Sequence, residues 1–419
     1  MEGKDSDQSK KLDLEVDNVR YRVIEDPSSS PLKKNDPTQA SKTKKSGTKS
    51  SIAESNKETT GGEEQEEVQK QKNDIISQPL ENIKKPISVS KKNTEGSAFQ
   101  IEEYRKLGKG EEELLVCRFD NEDLLLACGT MNGSVQIYQI STGKFLRSFE
   151  CAVNSSSPAS CLRWRPLIPG VKEKSVLLTA NADGVITHWN IHDAKMMSQF
   201  KETENQVLAL DFNKDGSLFA TAGKDQKIRI YCEETHKVTT ELHRGFSGYP
   251  GHSNRIFSLK FVEEDPNLLI SGGWDRSVHI WDLRTAKSTG SIFGPAISGD
   301  SIDCKNDTIL TGSWRNFDQL QIWDMKSRKL IKNVDWEYGF KTESAYVYSA
   351  QFSKSGTQFI IAGTSTRNEV RVFDEAADYQ PCGKVKFEKS IYSVDFAHTR
   401  KMFAFCGGDG EAYIYKIIQ

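Results

Sequence analysis

From residue 96 onward one pattern recurs: an apolar strand, a second strand ending in small residues, a tight turn, and a third strand closing on an aromatic. It is plainest in Ile256-Phe257-Ser258-Leu259-Lys260-Phe261, Leu268-Leu269-Ile270-Ser271-Gly272-Gly273 and Ser277-Val278-His279-Ile280-Trp281-Asp282. The closing aromatic falls at Tyr138, Trp189, Tyr231, Trp281, Trp323, Phe373 and Tyr415, at intervals of 51, 42, 50, 42, 50 and 42 residues. A period near 45 residues predicts a repeat architecture of about four short strands per unit, each unit burying its apolar faces against its neighbours. Asn132-Gly133, Asp183-Gly184 and Asp409-Gly410 stand between the second and third strands. A two-residue hairpin there needs residues that tolerate positive φ. Six units follow this plan, and Thr311 to Trp323 gives the seventh with a longer turn.

The last unit ends four residues after Tyr415, at Gln419, and so lacks a fourth strand of its own. Phe99, Ile101 and Tyr104 alternate ahead of the first unit, and a strand near 99–106 is predicted to fill that place, closing the ring and removing an open sheet edge.

These residues resemble the WD40-repeat family over about 320 of the 419 residues. The resemblance implies an all-β, seven-bladed WD40 β-propeller over 96–419, and for the fourth unit a buried hydrogen-bonded set of His252, Ser271, Asp275 and Trp281. That set is fold chemistry, not catalysis. The second unit (Thr179, Asp183, Trp189) and the third (Thr221, Asp225, Tyr231) lack the His, and the seventh has Phe405 at the hydroxyl position, so one blade is expected to hold the complete network.

Residues 1–95 read differently. They hold a single aromatic, Tyr21, no Cys, and 18 basic against 18 acidic residues. A segment with so little apolar area cannot offset its ordering entropy, so a disordered N-terminal tail is predicted. The apolar islands at 12–23 and 75–83 are read as fluctuations within it, and the Lys-rich stretch 33–49 as solvated linker. The polar start and the lack of any run of about 20 apolar residues predict a cytoplasmic chain with no membrane contact. Eight cysteines without a C-x-x-C pair predict reduced thiols.

No catalytic constellation, metal site or cofactor site is predicted. Leu107-Gly108-Lys109-Gly110 lacks the spacing of a phosphate loop. The i, i+4 pair His188 and His192 straddles a strand end, where the two side chains do not converge. Net charge is −2, and the repeat region carries 39 Lys and Arg against 41 Asp and Glu, which disfavours a nucleic-acid-tracking face.

What the resemblance implies instead is a rigid platform for protein or peptide partners, working within a multiprotein complex and with no small-molecule substrate. It places on the upper face the residues before the turn Asp (Met131, Ala182, Lys224, Trp274, Gly408, with Trp314 in the fifth unit) and those at the entrance to the first strand (Arg255, Phe257, Tyr346, Tyr348, Tyr392). Arg255, Phe257, Trp274, Trp314, Tyr346, Tyr348 and Tyr392 fall in units four to seven and form the expected protein-binding surface, because large rigid side chains bury much area for little lost entropy. The loops 245–251 and 336–340 are expected to extend this rim. An alternative function is that of a substrate receptor of a cullin-type ubiquitin ligase, since Trp281-Asp282-Leu283-Arg284 resembles the W-D-x-R box that docks a ligase adaptor; Trp323-Asp324-Met325-Lys326 ends in Lys instead.

Overall fold

Each recurring unit folds as a four-stranded antiparallel sheet, and the seven sheets are the seven blades of a β-propeller. The structure, a computed structural model, describes residues 99–151, 156–168, 170–171, 175–245, 250–336, 345–354 and 356–418. The segment 1–95 with its two islands, and Phe246 to Tyr249 and Glu337 to Phe340 of the two loops, lie outside the described residues. Among the described residues no helix occurs, and none is long and apolar enough to cross a membrane.

Blades one to six occupy 114–150, 159–201, 207–242, 256–293, 302–333 and 347–386, with strands in chain order from the channel outward. The seventh is composite. Met402–Gly407 and Glu411–Ile418 follow the inner strand Ile391–Phe396, and the outer strand is Gln100–Gly108 from the other end of the repeat region, running antiparallel from Gln100 against Ile418 to Gly108 against Glu411. The first blade is tied to the last by side chains as well. Asp123, at φ 55°, accepts from the backbone N–H groups of His398 (2.7 Å) and Thr399 (2.8 Å), and Asp395 accepts from Phe119 N–H at 2.8 Å.

The apolar faces pair between blades. Seven clusters of buried side chains are found, one at each blade-to-blade interface; the one joining blades three and four holds Ala209, Ile228 and Leu242 against Leu259, Leu269 and Trp281. Second strands are therefore buried on both faces, as in Leu218–Gly223 of blade three, while an outer strand such as Lys195–Lys201 is mostly exposed. A blade alone could not bury these faces, so the ring is stable only as a stack of neighbours. All eight cysteines are free thiols, and seven are buried.

In six blades the inner strand begins with a bulge: pairing to the second strand skips one residue, namely Leu115, Ser160, Leu208, Phe257, Tyr348 or Tyr392. A bulge re-aims the unpaired side chain away from the pleat. Three of the six are aromatics, in blades four, six and seven.

Candidate functional site

Those bulged rings are where the rim aromatics are built. In blade four Phe257 packs on Trp274, with ring centres 5.0 Å apart, and the guanidinium of Arg255 lies 5.7 Å above the indole. Trp274 follows the second strand, donates Nε1–H to Ser298 Oγ at 2.9 Å, and is 42% exposed. An indole fixed by a hydrogen bond at its edge and packed against Phe257, yet still partly exposed, has little rotamer entropy left to lose.

A second group spans blades five to seven. Trp314 stacks on Tyr346 with ring centres 4.8 Å apart and planes 6° from parallel, and meets Tyr348 edge-on at 4.6 Å. Tyr348 meets Tyr392 edge-on at 5.9 Å. Tyr346 donates its hydroxyl to Asn316 Oδ1. All four rings are half-buried. The candidate residues therefore fall into two groups: Arg255–Phe257–Trp274, and Trp314–Tyr346–Tyr348–Tyr392. Between them lies the segment 294–301, where Ala296 bonds both the backbone and the hydroxyl side of the Ser313–Trp314 pair and Ser298 holds Trp274. Trp336 does not extend the rim. It is buried between blades five and six, donates its indole N–H to Glu369, and meets Phe373 edge-on.

The four residues of the fourth-blade network come together in one chain of bonds. Asp275 Oδ2 sits 2.8 Å from His252 Nδ1, His252 Nε2 is 2.7 Å from Ser271 Oγ, and Trp281 donates Nε1–H to Ser271 Oγ at 2.8 Å. Burial pushes the Asp275 carboxyl up, but hydrogen bonding from His252 and its charge outweigh this and hold it at about 2. Blade three solves the same problem with other residues. Glu202 is buried and accepts from Thr221 Oγ1 (2.5 Å), Tyr231 OH (2.9 Å) and Arg229 Nη1 (2.9 Å). Its only sequence signal is an acidic residue shortly before an inner strand, the place His252 takes in blade four.

The channel is also charged, which the repeat pattern did not suggest. Its wall, around a cavity of about 560 Å³, includes Arg118, Arg163, Asp211, Lys260, Asp303, Gln351 and Asp395 from the seven inner strands. Several of these accept from the next blade: Asp211 from Phe261 N–H (3.0 Å), Asp303 from Phe352 N–H (2.9 Å) and Gln351 from Phe396 N–H (2.7 Å). Asp300 enters from the segment before blade five, accepts from Arg163 Nη2 at 2.8 Å, and pairs with Arg118. Burial pushes Asp300 up, yet the two guanidiniums hold it at about 2. Lys260 is paired with Asp303 (3.3 Å) and Lys354 with Asp395 (2.7 Å). These charges are spent on one another and on backbone donors.

On the opposite end of blade four, Trp281 is fully buried, and Arg284, whose side chain is 70% exposed, is held by Asp282 through Nε–Oδ1 (3.2 Å) and Nη2–Oδ2 (3.0 Å).

Comparison with known proteins agrees with this architecture. The family model described as WD domain, G-beta repeat matches residues 194–232 and 244–282. The chain is 20% identical over 266 residues to E3 ubiquitin-protein ligase COP1 of Arabidopsis thaliana, covering 57% of this chain and 37% of that protein. It is 24% identical over 244 residues to the LEC14B homolog of Prunus armeniaca (53% and 50%), and 35% identical over 82 residues to cell division cycle protein cdt2 of Schizosaccharomyces pombe (19% and 16%). The chain thus spans half or less of the length of these relatives.

Proposed function

The chain belongs to the WD40-repeat β-propeller family, and on that premise we propose that it is a non-catalytic interaction scaffold that grips protein partners with the upper rim of blades four to seven. Propellers of this family typically bind proteins. The observation that carries the reading is the run of rings Trp314, Tyr346, Tyr348 and Tyr392, which crosses three blades, with Trp274 beside it held open to solvent. Bulges and hydrogen bonds fix these side chains in place, so association immobilises little that is not already ordered. The channel supports a non-catalytic role, because its carboxylates are engaged by cations or by backbone N–H groups of the neighbouring blade. Proximity labelling with the wild-type chain beside a Trp274→Ala, Trp314→Ala double variant tests the proposal: specific partners drop out of the variant's list, whereas identical lists would remove the rim from consideration.

A second reading rests on Arg284. Its exposed guanidinium is preorganised by Asp282 directly after a buried Trp281, an arrangement that suits docking to the adaptor of a cullin-type ligase. Direct affinity for such an adaptor, lost in Arg284→Ala and kept in the rim double variant, would favour it.

A further inference from the structure

His188, on the third strand of blade two, meets blade three through two side chains that the sequence did not pair with it. Its Nε2 lies 3.0 Å from Glu233 Oε2, and its ring faces His236 with centres 4.4 Å apart and planes at 34°. Glu233 and His236 belong to the turn between Ile228–Cys232 and Val238–Leu242. One ligand atom from each of the three lies within 4.8 Å of the other two. We propose that His188, Glu233 and His236 bind one divalent transition-metal ion of the zinc class, clasping blade two to blade three.

The chemistry of the donors selects the ion. Two imidazoles and one carboxylate suit zinc, cobalt or nickel, while calcium and magnesium require oxygen-rich cages. The supports behind the ligands are already present. His188 Nδ1 is 3.0 Å from Ser198 Oγ, and Arg165 Nη1 is 3.4 Å from Glu233 Oε1, on the carboxylate oxygen that His188 does not meet. The Ser198 hydroxyl serves either tautomer of His188, so baring Nε2 for a metal requires a tautomer exchange and no change in net protonation. His188 and Glu233 are buried, whereas His236 is half-exposed, has no hydrogen-bond partner for its ring among the described residues, and is set by a backbone at φ 54° with its N–H on Cys232 O at 2.8 Å. That side is the entry path and leaves a fourth position for water. The other three-residue group, His252, Asp275 and His279, does not offer this, because both nitrogens of His252 are consumed in the blade-four network. Nor does His192, which is exposed and turned to Asp193.

The test is titration of the purified full chain, freed of metal by chelator, with cobalt(II) read by its visible spectrum and with zinc read calorimetrically. One equivalent is expected to bind with the intense bands of a four-coordinate nitrogen and oxygen site, and zinc is expected to raise the melting temperature. His236→Asn removes the imidazole and tolerates the positive φ; it should abolish the bands and the thermal shift, while His192→Ala keeps both. Unchanged binding in a folded His236→Asn variant, loss in His192→Ala, or no uptake by the wild-type chain would overturn the assignment. If His236→Asn does not fold, the wild-type spectrum still decides: a thiolate-to-cobalt charge-transfer band would place the ion on a cysteine and overturn the proposal, and its absence from a bound four-coordinate spectrum would sustain it.

Discussion

Asp300 and Arg163 are bonded at 2.8 Å although one lies in the segment leading into the fifth blade and the other in the second blade, so one carboxylate links parts of the ring that share no blade interface. Arg118 of the first blade shares the same oxygen. Replacing Asp300 by Ala takes from Arg118 its carboxylate partner and leaves Arg163 with Asp211 alone, at 3.2 Å. Removing one partner of such a pair costs on the order of 3 kcal/mol, and denaturant unfolding of Asp300→Ala should show a loss of that size. A midpoint equal to wild type would mean that the link contributes nothing.

Acid should act in two stages. Burial, with the charge of His252 adding to it, holds His279 at about 4, and burial with Lys354 does the same to His398. Both values lie below the unfolded value of about 6.5. Such a group is neutral in the fold and takes up a proton on unfolding, so the stability it supports is present above about pH 6.5 and is lost as pH falls toward 4. Asp275 and Asp300, both at about 2, contribute stability that is present above about pH 4 and is lost on approach to pH 2. Melting temperature followed from pH 7 to pH 2 should fall in both windows, and His279→Gln should lessen the first fall while leaving the part that His398 supplies. A flat profile between pH 6.5 and 4 in the wild type would contradict this.

His252→Ala removes one partner each from buried Ser271, which keeps Trp281, and from Asp275, which keeps Ser253 and Ser277, and should cost about 1 to 3 kcal/mol. Glu202→Ala in blade three should cost at least as much, since it removes the acceptor of the Thr221 and Tyr231 hydroxyls and one of the carboxylates around Arg229, which keeps Asp225. Thermal unfolding of the two variants side by side checks this. A neutral Glu202→Ala would show that blade three does not depend on its carboxylate.

Removing residues 1–98 should leave the ring folded, whereas removal through Gly108 strips the outer strand from the seventh blade and exposes the edge of Glu411–Ile418. Limited proteolysis of the two shortened chains should show the second cut far faster. Equal resistance would refute closure by that strand.

The propeller was legible because the closing aromatics keep their spacing and three of the turns carry Asn-Gly or Asp-Gly, signals that depend on local geometry alone. The fourth-blade network was legible for a related reason: each of its members sits at a fixed place in one unit. Glu202 was not, because a buried acid before a strand looks like any solvated Glu until Arg229 and Tyr231 are brought to it. The channel charges escaped for the same reason, since Asp300 and Arg163 are 137 residues apart and nothing near either marks the other. Trp336 was misplaced on the rim because an aromatic in a polar loop reads as exposed, whereas Glu369 and Phe373 of the next blade cover it. His188 was compared with His192, its neighbour in sequence, while its partner in space is His236, across a blade interface.

Whether partners are gripped by the upper rim of blades four to seven can be read by hydrogen exchange on the purified chain with and without a partner recovered by labelling. New protection is expected at 255–257, 274–276, 314–316, 346–348 and 390–392, with the segment after Trp281 unchanged. Protection confined to 282–286, with the rim exchanging as in the free chain, would contradict it.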